Sequence, residues 1–214
     1  MRLIPVIAAV LSLFTACPSF AQGWIEYSNQ EDFFTVNFPG EPEVRDITYD
    51  TEYFITLPGR IYSYEGEGSR YSVTVVDYTV AAQRHTELRE RCRASGADGD
   101  SCTYRWATDL RGAIIYASWD YLKRDNAELT HFVYTQADRV EGHALQFDNA
   151  DGSRTYVAIH MHADRLYILD GTVPLNSVPP SLFQQSMGFL DEEGNSIRYD
   201  SPYTNGFPPP PRVR

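Results

Sequence analysis

Glu-Leu-Thr-His-Phe-Val-Tyr-Thr (128–135), Gly-His-Ala-Leu-Gln-Phe (142–147), Arg-Thr-Tyr-Val-Ala-Ile-His-Met-His (154–162) and Leu-Tyr-Ile-Leu-Asp (166–170) follow one another with short links between them. Each run is rich in β-branched and aromatic residues and is bounded by turn residues, the pattern of strands. Asn149-Ala150-Asp151-Gly152 and Ala163-Asp164-Arg165 read as hairpin connections. Strands joined by links this short pair antiparallel, because a parallel crossover needs about a dozen residues or more. The stretch predicts an antiparallel meander.

Upstream, Phe34, Val36 and Phe38 alternate with Thr35 and Asn37, a strand with one face buried. Pro39-Gly40-Glu41-Pro42 ends it, since proline cannot donate to a ladder and glycine permits a turn. Asp46 to Tyr53 and Arg60 to Tyr64 read as two more strands separated by Leu57-Pro58-Gly59, and Gly66 to Ser69 reads as a turn. Arg70 to Val80 carries Tyr71, Val73 and Val75 on one face, then Val76, Tyr78 and Val80 shifted by one. Such a shift means either two covered faces or a bulge.

Ala81 to Arg93 predicts a charged helix with Leu88 and Cys92 on its buried side. Thr108 to Arg124 supports two periods at once. Leu110, Ile114, Ala117 and Tyr121 keep helical spacing, while Ile115, Ala117, Trp119 and Tyr121 alternate as in a strand. Length and flanking charges favour a helix. Pro179 to Leu190 predicts a closing helix with an apolar stripe. The fold class is α+β, an antiparallel β-sheet flanked by helices.

Arg2, an apolar run from Leu3 to Phe14 and Ser19-Phe20-Ala21 form the tripartite pattern of a secretory signal, with cleavage after Ala21. The run is shorter than the roughly 20 apolar residues a membrane helix needs, and no later segment approaches that length. Thr15-Ala16-Cys17 partly fits a lipoprotein signal, so lipidation of Cys17 is the rival reading of the leader. The expected organisation is a signal peptide over 1–21, one domain over 22–200, and a disordered tail over 201–214 holding Pro208 to Pro211. The expected location is periplasmic or secreted, with no transmembrane segment. A formal charge of −11 disfavours nucleic acid and anionic lipid as partners. Cys92 and Cys102, an even pair in an oxidising compartment, are expected to form a disulfide around a polar, glycine-containing loop.

Phe-Phe-Thr-Val-Asn-Phe-Pro-Gly-Glu-Pro (33–42), Gly142 before a strand, Asp151-Gly152 in a hairpin, Arg165-Leu166-Tyr167 opening a strand and Phe183-Gln184-Gln185-Ser186 near the end occur in that order. Together they resemble small exported bacterial proteins with a PsbP-like fold; Arg84 to Asp125 matches none of its motifs. The resemblance implies an α/β/α sandwich and accessory proteins that bind larger assemblies without a shared catalytic set. It favours a non-enzymatic role and does not identify the partner; the expected partner is an unknown envelope protein or assembly, and no cofactor is expected.

Candidate chemistry is sparse. His160 and His162 are two apart on one strand, so both rings point to one face, where they could meet a metal ion. His131, His143 and Asp164 are the candidate third ligands. No Gly-x-Ser-x-Gly, His-Glu-x-x-His or Ser-x-x-Lys occurs, and the acidic pairs Glu65/Glu67 and Asp148/Asp151 sit in turns. The 15 tyrosines fit either half-exposed strand faces or a binding surface. The sequence thus favours an exported accessory or binding domain without a catalytic site, against a metal-binding protein or metalloenzyme using His160 and His162.

Overall fold

The computed structural model describes residues 23–97, 102–205 and, as backbone, 212–213. The expected leader with Cys17 and the proline run lie outside the described residues. The chain enters through β1 (Ile25–Asn29) and returns as β2 (Phe34–Phe38), where Phe34, Val36 and Phe38 are buried as their alternation requires. β3 (Glu43–Asp50) and β4 (Thr56–Gly66) form the next hairpin. Leu57-Pro58-Gly59 does not separate strands; it lies inside β4. The chain turns instead at Thr51–Ile55, where the Thr51 amide donates to the Ile55 carbonyl at 2.9 Å. Pro58 lies opposite Thr48 but beyond the ladder with β5 (Ser69–Asp77), so β4 is locally an edge strand there, a position proline tolerates. Glu67 and Gly68 connect β4 to β5 with φ of 52° and 74°, the two left-handed residues of a tight hairpin whose twist matches its strands.

β5 buries Tyr71, Val73 and Val75 on one face and Val76 on the other. Its shifted apolar pattern therefore records two covered faces. A short 3₁₀ turn leads into α1 (Ala81–Ala94), and α2 (Trp106–Leu122) follows. The meander is β6 (Ala127–Ala137), β7 (Val140–Asn149), β8 (Arg154–His162) and β9 (Arg165–Val173). The large sheet runs β3-β4-β5-β9-β8-β7-β6, antiparallel throughout. Gly142 is required in β7 because a Cβ there would strike the Ile159 carbonyl and the His160 ring.

The expected helix over Pro179–Leu190 is only a single turn, α3 (Ser181–Gln184). β10 (Gly188–Leu190), β11 (Ser196–Arg198) and β12 (Arg212–Val213) complete a small sheet of order β1-β2-β10-β11-β12. Gly188 pairs with Thr35 and Phe189 with Phe34, and the Asn37 amide donates to the Ser186 hydroxyl at 2.8 Å. Glycine is a poor helix residue, and main-chain pairing to β2 offers this segment more than a helix could.

The fold is α+β, with an antiparallel sheet between two flanking layers. α1 and α2 cover one face over Val157, Ile159 and Met161. The small sheet and α3 cover the other over Tyr156, Ala158 and Leu169. The packed domain runs past the expected boundary at residue 200. Tyr203 is buried, its amide donates to the Arg139 carbonyl at 2.8 Å, and its carbonyl accepts from the Glu141 amide at 3.1 Å. Pairing with buried groups therefore holds some of what composition assigned to a tail.

Cys92 of α1 and Cys102 before α2 are joined, with Cα atoms 5.6 Å apart. Closing so short a loop stabilises by about 2–3 kcal/mol through the unfolded chain. Reduction is expected to lower the melting temperature by roughly 5–10 °C. Calorimetry with and without reductant checks this; an unchanged melting temperature would show that the bridge constrains little.

Candidate functional site

α2 has two apolar faces. Ala113, Ile114 and Ala117 point inward onto the large sheet. Ile115 and Trp119, one turn apart, point outward at 66% and 55% exposure. The double period in the sequence has this cause: one apolar set serves the core and a second serves the surface.

The outward set faces β6. In the β6–β7 ladder Phe132 lies opposite Leu145 and Tyr134 opposite His143, so both rings stand on the α2 side of the sheet. Both are exposed. Between α2 and β6 lies a groove of ≈ 370 Å³ lined chiefly by Ile115, Tyr116, Trp119, Leu122, Phe132 and His143, with Glu52 at its border. It adjoins a smaller hollow of ≈ 210 Å³ that includes Arg111, Tyr134, Glu141 and Asn205. Exposed aromatic and branched side chains gathered on one groove are characteristic of contact surfaces.

His143 and Ser118 form the polar portion of the groove. The Ser118 hydroxyl donates to the Ile114 carbonyl at 2.8 Å, the usual back-bond of a helical serine. Its proton is thereby occupied, so His143 Nδ1–H donates to Ser118 Oγ at 2.8 Å and the Nε2 lone pair is left over. Burial lowers the His143 pKa, which keeps the ring neutral at pH 7. The ring also meets Phe132 edge-on at 5.2 Å. A buried serine whose proton is held by its own helix is not an activated nucleophile. The pair fixes a neutral hydrogen-bond acceptor in a largely apolar groove that Glu52 also lines.

A second polar cluster braces α2 from within. Asp109 Oδ2 accepts from the Thr51 hydroxyl at 2.6 Å and meets His85 Nε2 at 2.9 Å, all three residues being buried. It joins α1, α2 and the β3–β4 turn. The sequence reading missed it, although His85 lies on the stripe that Leu88 and Cys92 continue. Asn205 adds a tie, donating from Nδ2 to the Leu110 carbonyl at 2.7 Å.

His160 and His162 share a face, as their spacing requires, but point into the layer between the two sheets and take separate partners. His160 Nδ1–H donates towards the Val140 carbonyl at 3.2 Å. His162 Nε2 shares a hydrogen bond with the Tyr199 hydroxyl at 2.7 Å, its ring against Phe189 and Tyr203, and its Nδ1 is buried without a partner. Desolvation pushes each pKa down to about 4. Of the expected third ligands, His143 is on the opposite face of the sheet, His131 is exposed on β6, and Asp164 sits in the β8–β9 turn. Among the described residues no three His, Cys, Asp or Glu side chains gather where they could hold a metal ion. Among them, too, no helix is long and apolar enough to cross a membrane.

No family model matches the chain, and no curated protein matches it. Among solved structures the chain is similar to the solution structure of cyanobacterial PsbP (CyanoP) from Synechocystis sp. PCC 6803. The two are 12% identical, over 83% of this chain and 98% of that one, with a TM-score of 0.41.

Proposed function

We propose that this protein is an exported accessory domain that works by binding a partner through the groove between α2 and β6, without catalysis. The observation that carries the reading is the pair of facing rows, Ile115 and Trp119 on α2 against Phe132 and Tyr134 on β6, left in solvent along the groove and its adjoining hollow. Trp and Tyr dominate the energetics of contact surfaces because they bury large area with few rotamers to freeze. Export to the periplasm or beyond is supported by the leader pattern and by the joined Cys92 and Cys102. The expected occupant is an apolar segment of an envelope protein or assembly.

The test is affinity capture from envelope extract with the parent chain and with Ile115→Ser/Trp119→Ser. Both side chains point away from the core, so the variant is expected to keep the parent's melting temperature. It is expected to lose at least tenfold in affinity for whatever the parent retains, equivalent to about 1.4 kcal/mol. A partner held equally well by parent and variant would remove the groove from the account.

A further inference from the structure

The two edges of the large sheet are built differently. β3 carries Glu43, Arg45, Asp46 and Asp50 within its eight residues. β6, at the opposite edge, has 11 residues with Glu128 as the sole acid and no Lys, Arg or Pro. Leu129, Phe132, Val133 and Tyr134 are exposed along it, on both of its faces. The register shifts between Leu129 and His131, which leaves His131–Ala137 as a regular edge without an acid, lysine or arginine. Among the described residues no strand pairs with its outer side. Charge and proline on an edge are how proteins prevent a foreign strand from adding to a sheet. β3 has that protection in its charges, and β6 lacks it beside the apolar groove.

We propose that His131–Ala137 is a strand-addition site. An extended segment of a partner protein pairs along it as a further strand, its alternate apolar side chains falling beside Phe132 and Tyr134 at the mouth of the groove. Main-chain hydrogen bonds would supply affinity and the groove would supply specificity. The segment's flanks are basic. The chain carries −11, Glu128 opens β6 and Glu52 lines the groove, while in the adjoining hollow Glu141 stands with Arg111 and adds no net charge. A second copy of this chain would bring like charge to like charge, whereas lysine or arginine flanks are drawn in.

This inference rests on the groove reading and sharpens it, so its test separates the two. Short random peptides are displayed and selected against the whole chain, and a selected binder is resynthesised with N-methyl groups on alternate backbone amides. Methylating the edge that meets β6 removes main-chain donors and leaves every side chain in place. The expected results are apolar binders with Lys or Arg flanks, at least about a tenfold loss on methylating one edge and little on the other. Slowed amide exchange over His131–Ala137 is expected with them, as is weakened binding by Val133→Lys. No selected binder, acidic flanks, or equal binding of both methylated forms would overturn strand addition. So would a dimer by light scattering whose amides at 131–137 are already protected, because a second copy would then be the occupant. Binding that is indifferent to methylation yet lost in Trp119→Ser would overturn strand addition and leave the groove reading standing.

Discussion

Acidification from pH 6.5 towards 4 is expected to destabilise this protein by on the order of 3 kcal/mol for each of His160 and His162. Both rings are buried, and burial lowers each folded pKa to about 4 from an ordinary 6.5. Between those values the unfolded chain holds protons that the folded chain refuses. Stability is therefore fully present above pH 6.5 and is lost as the pH falls through the window, by about 1.4 kcal/mol per pH unit for each ring. Native domains hold only about 5–15 kcal/mol in total, so the effect is large. His162→Phe isolates one ring. Phenylalanine suits a site walled by Phe189, Tyr199 and Tyr203 but cannot take a proton. Urea titrations between pH 6.5 and 5 are expected to give a shallower slope for the variant, smaller by about one proton. Equal slopes for parent and variant would mean that His162 already binds its proton in the folded state.

Asp32→Ala is expected to cost about 2–3 kcal/mol, because it leaves a buried hydroxyl without its acceptor and breaks a partly buried ion pair. Asp32 sits in the turn between β1 and β2, on the small sheet. Its carboxylate accepts from Arg60 Nε at 2.8 Å and Nη2 at 2.7 Å and from the Tyr62 hydroxyl at 2.5 Å, both residues belonging to β4 of the large sheet. Its carbonyl accepts from Tyr167 of β9 at 2.8 Å. One residue thus clamps the two sheets. Alanine would leave the buried Tyr62 hydroxyl without an acceptor, while Arg60 could still pair with the exposed Glu31. Asp32→Asn, which keeps an acceptor oxygen and the shape, is expected to lose less. A denaturation midpoint for Asp32→Ala corresponding to a loss under about 1 kcal/mol would show that the clamp is not needed.

Much of this fold was legible. The meander follows from runs of period two with short links, and β2 follows from Phe34, Val36 and Phe38. Three misreadings share one physical cause: local chemistry gave way to pairing across the molecule. Pro58 looked like a break but is harmless where β4 is an edge. Gly188 and Phe189 looked helical but are held by Thr35 and Phe34. Tyr203 fell within the expected tail over 201–214 but packs beside His162. The histidine pair was correctly placed on one face, yet period two cannot say that the face is closed by a second sheet. The groove was present in the sequence as an ambiguity. Ile115 and Trp119 spoiled a clean helical pattern because they do not serve the core. Nothing in the spacing of Thr51, His85 and Asp109 could bring them together, since only the packing of α1 against α2 and the β3–β4 turn does so.

The central claim is that the α2–β6 groove is where this protein meets its partner. Site-specific photo-crosslinking in the native envelope tests it most directly, with a photoreactive aromatic residue placed at Trp119 in one chain and at Val178 in another. Val178 is more open to solvent than Trp119, at 83% against 55% exposure, and lies outside the groove. The account predicts a discrete adduct from position 119, formed before lysis, and none from position 178. No adduct at 119, or the same adducts from both positions, would contradict it.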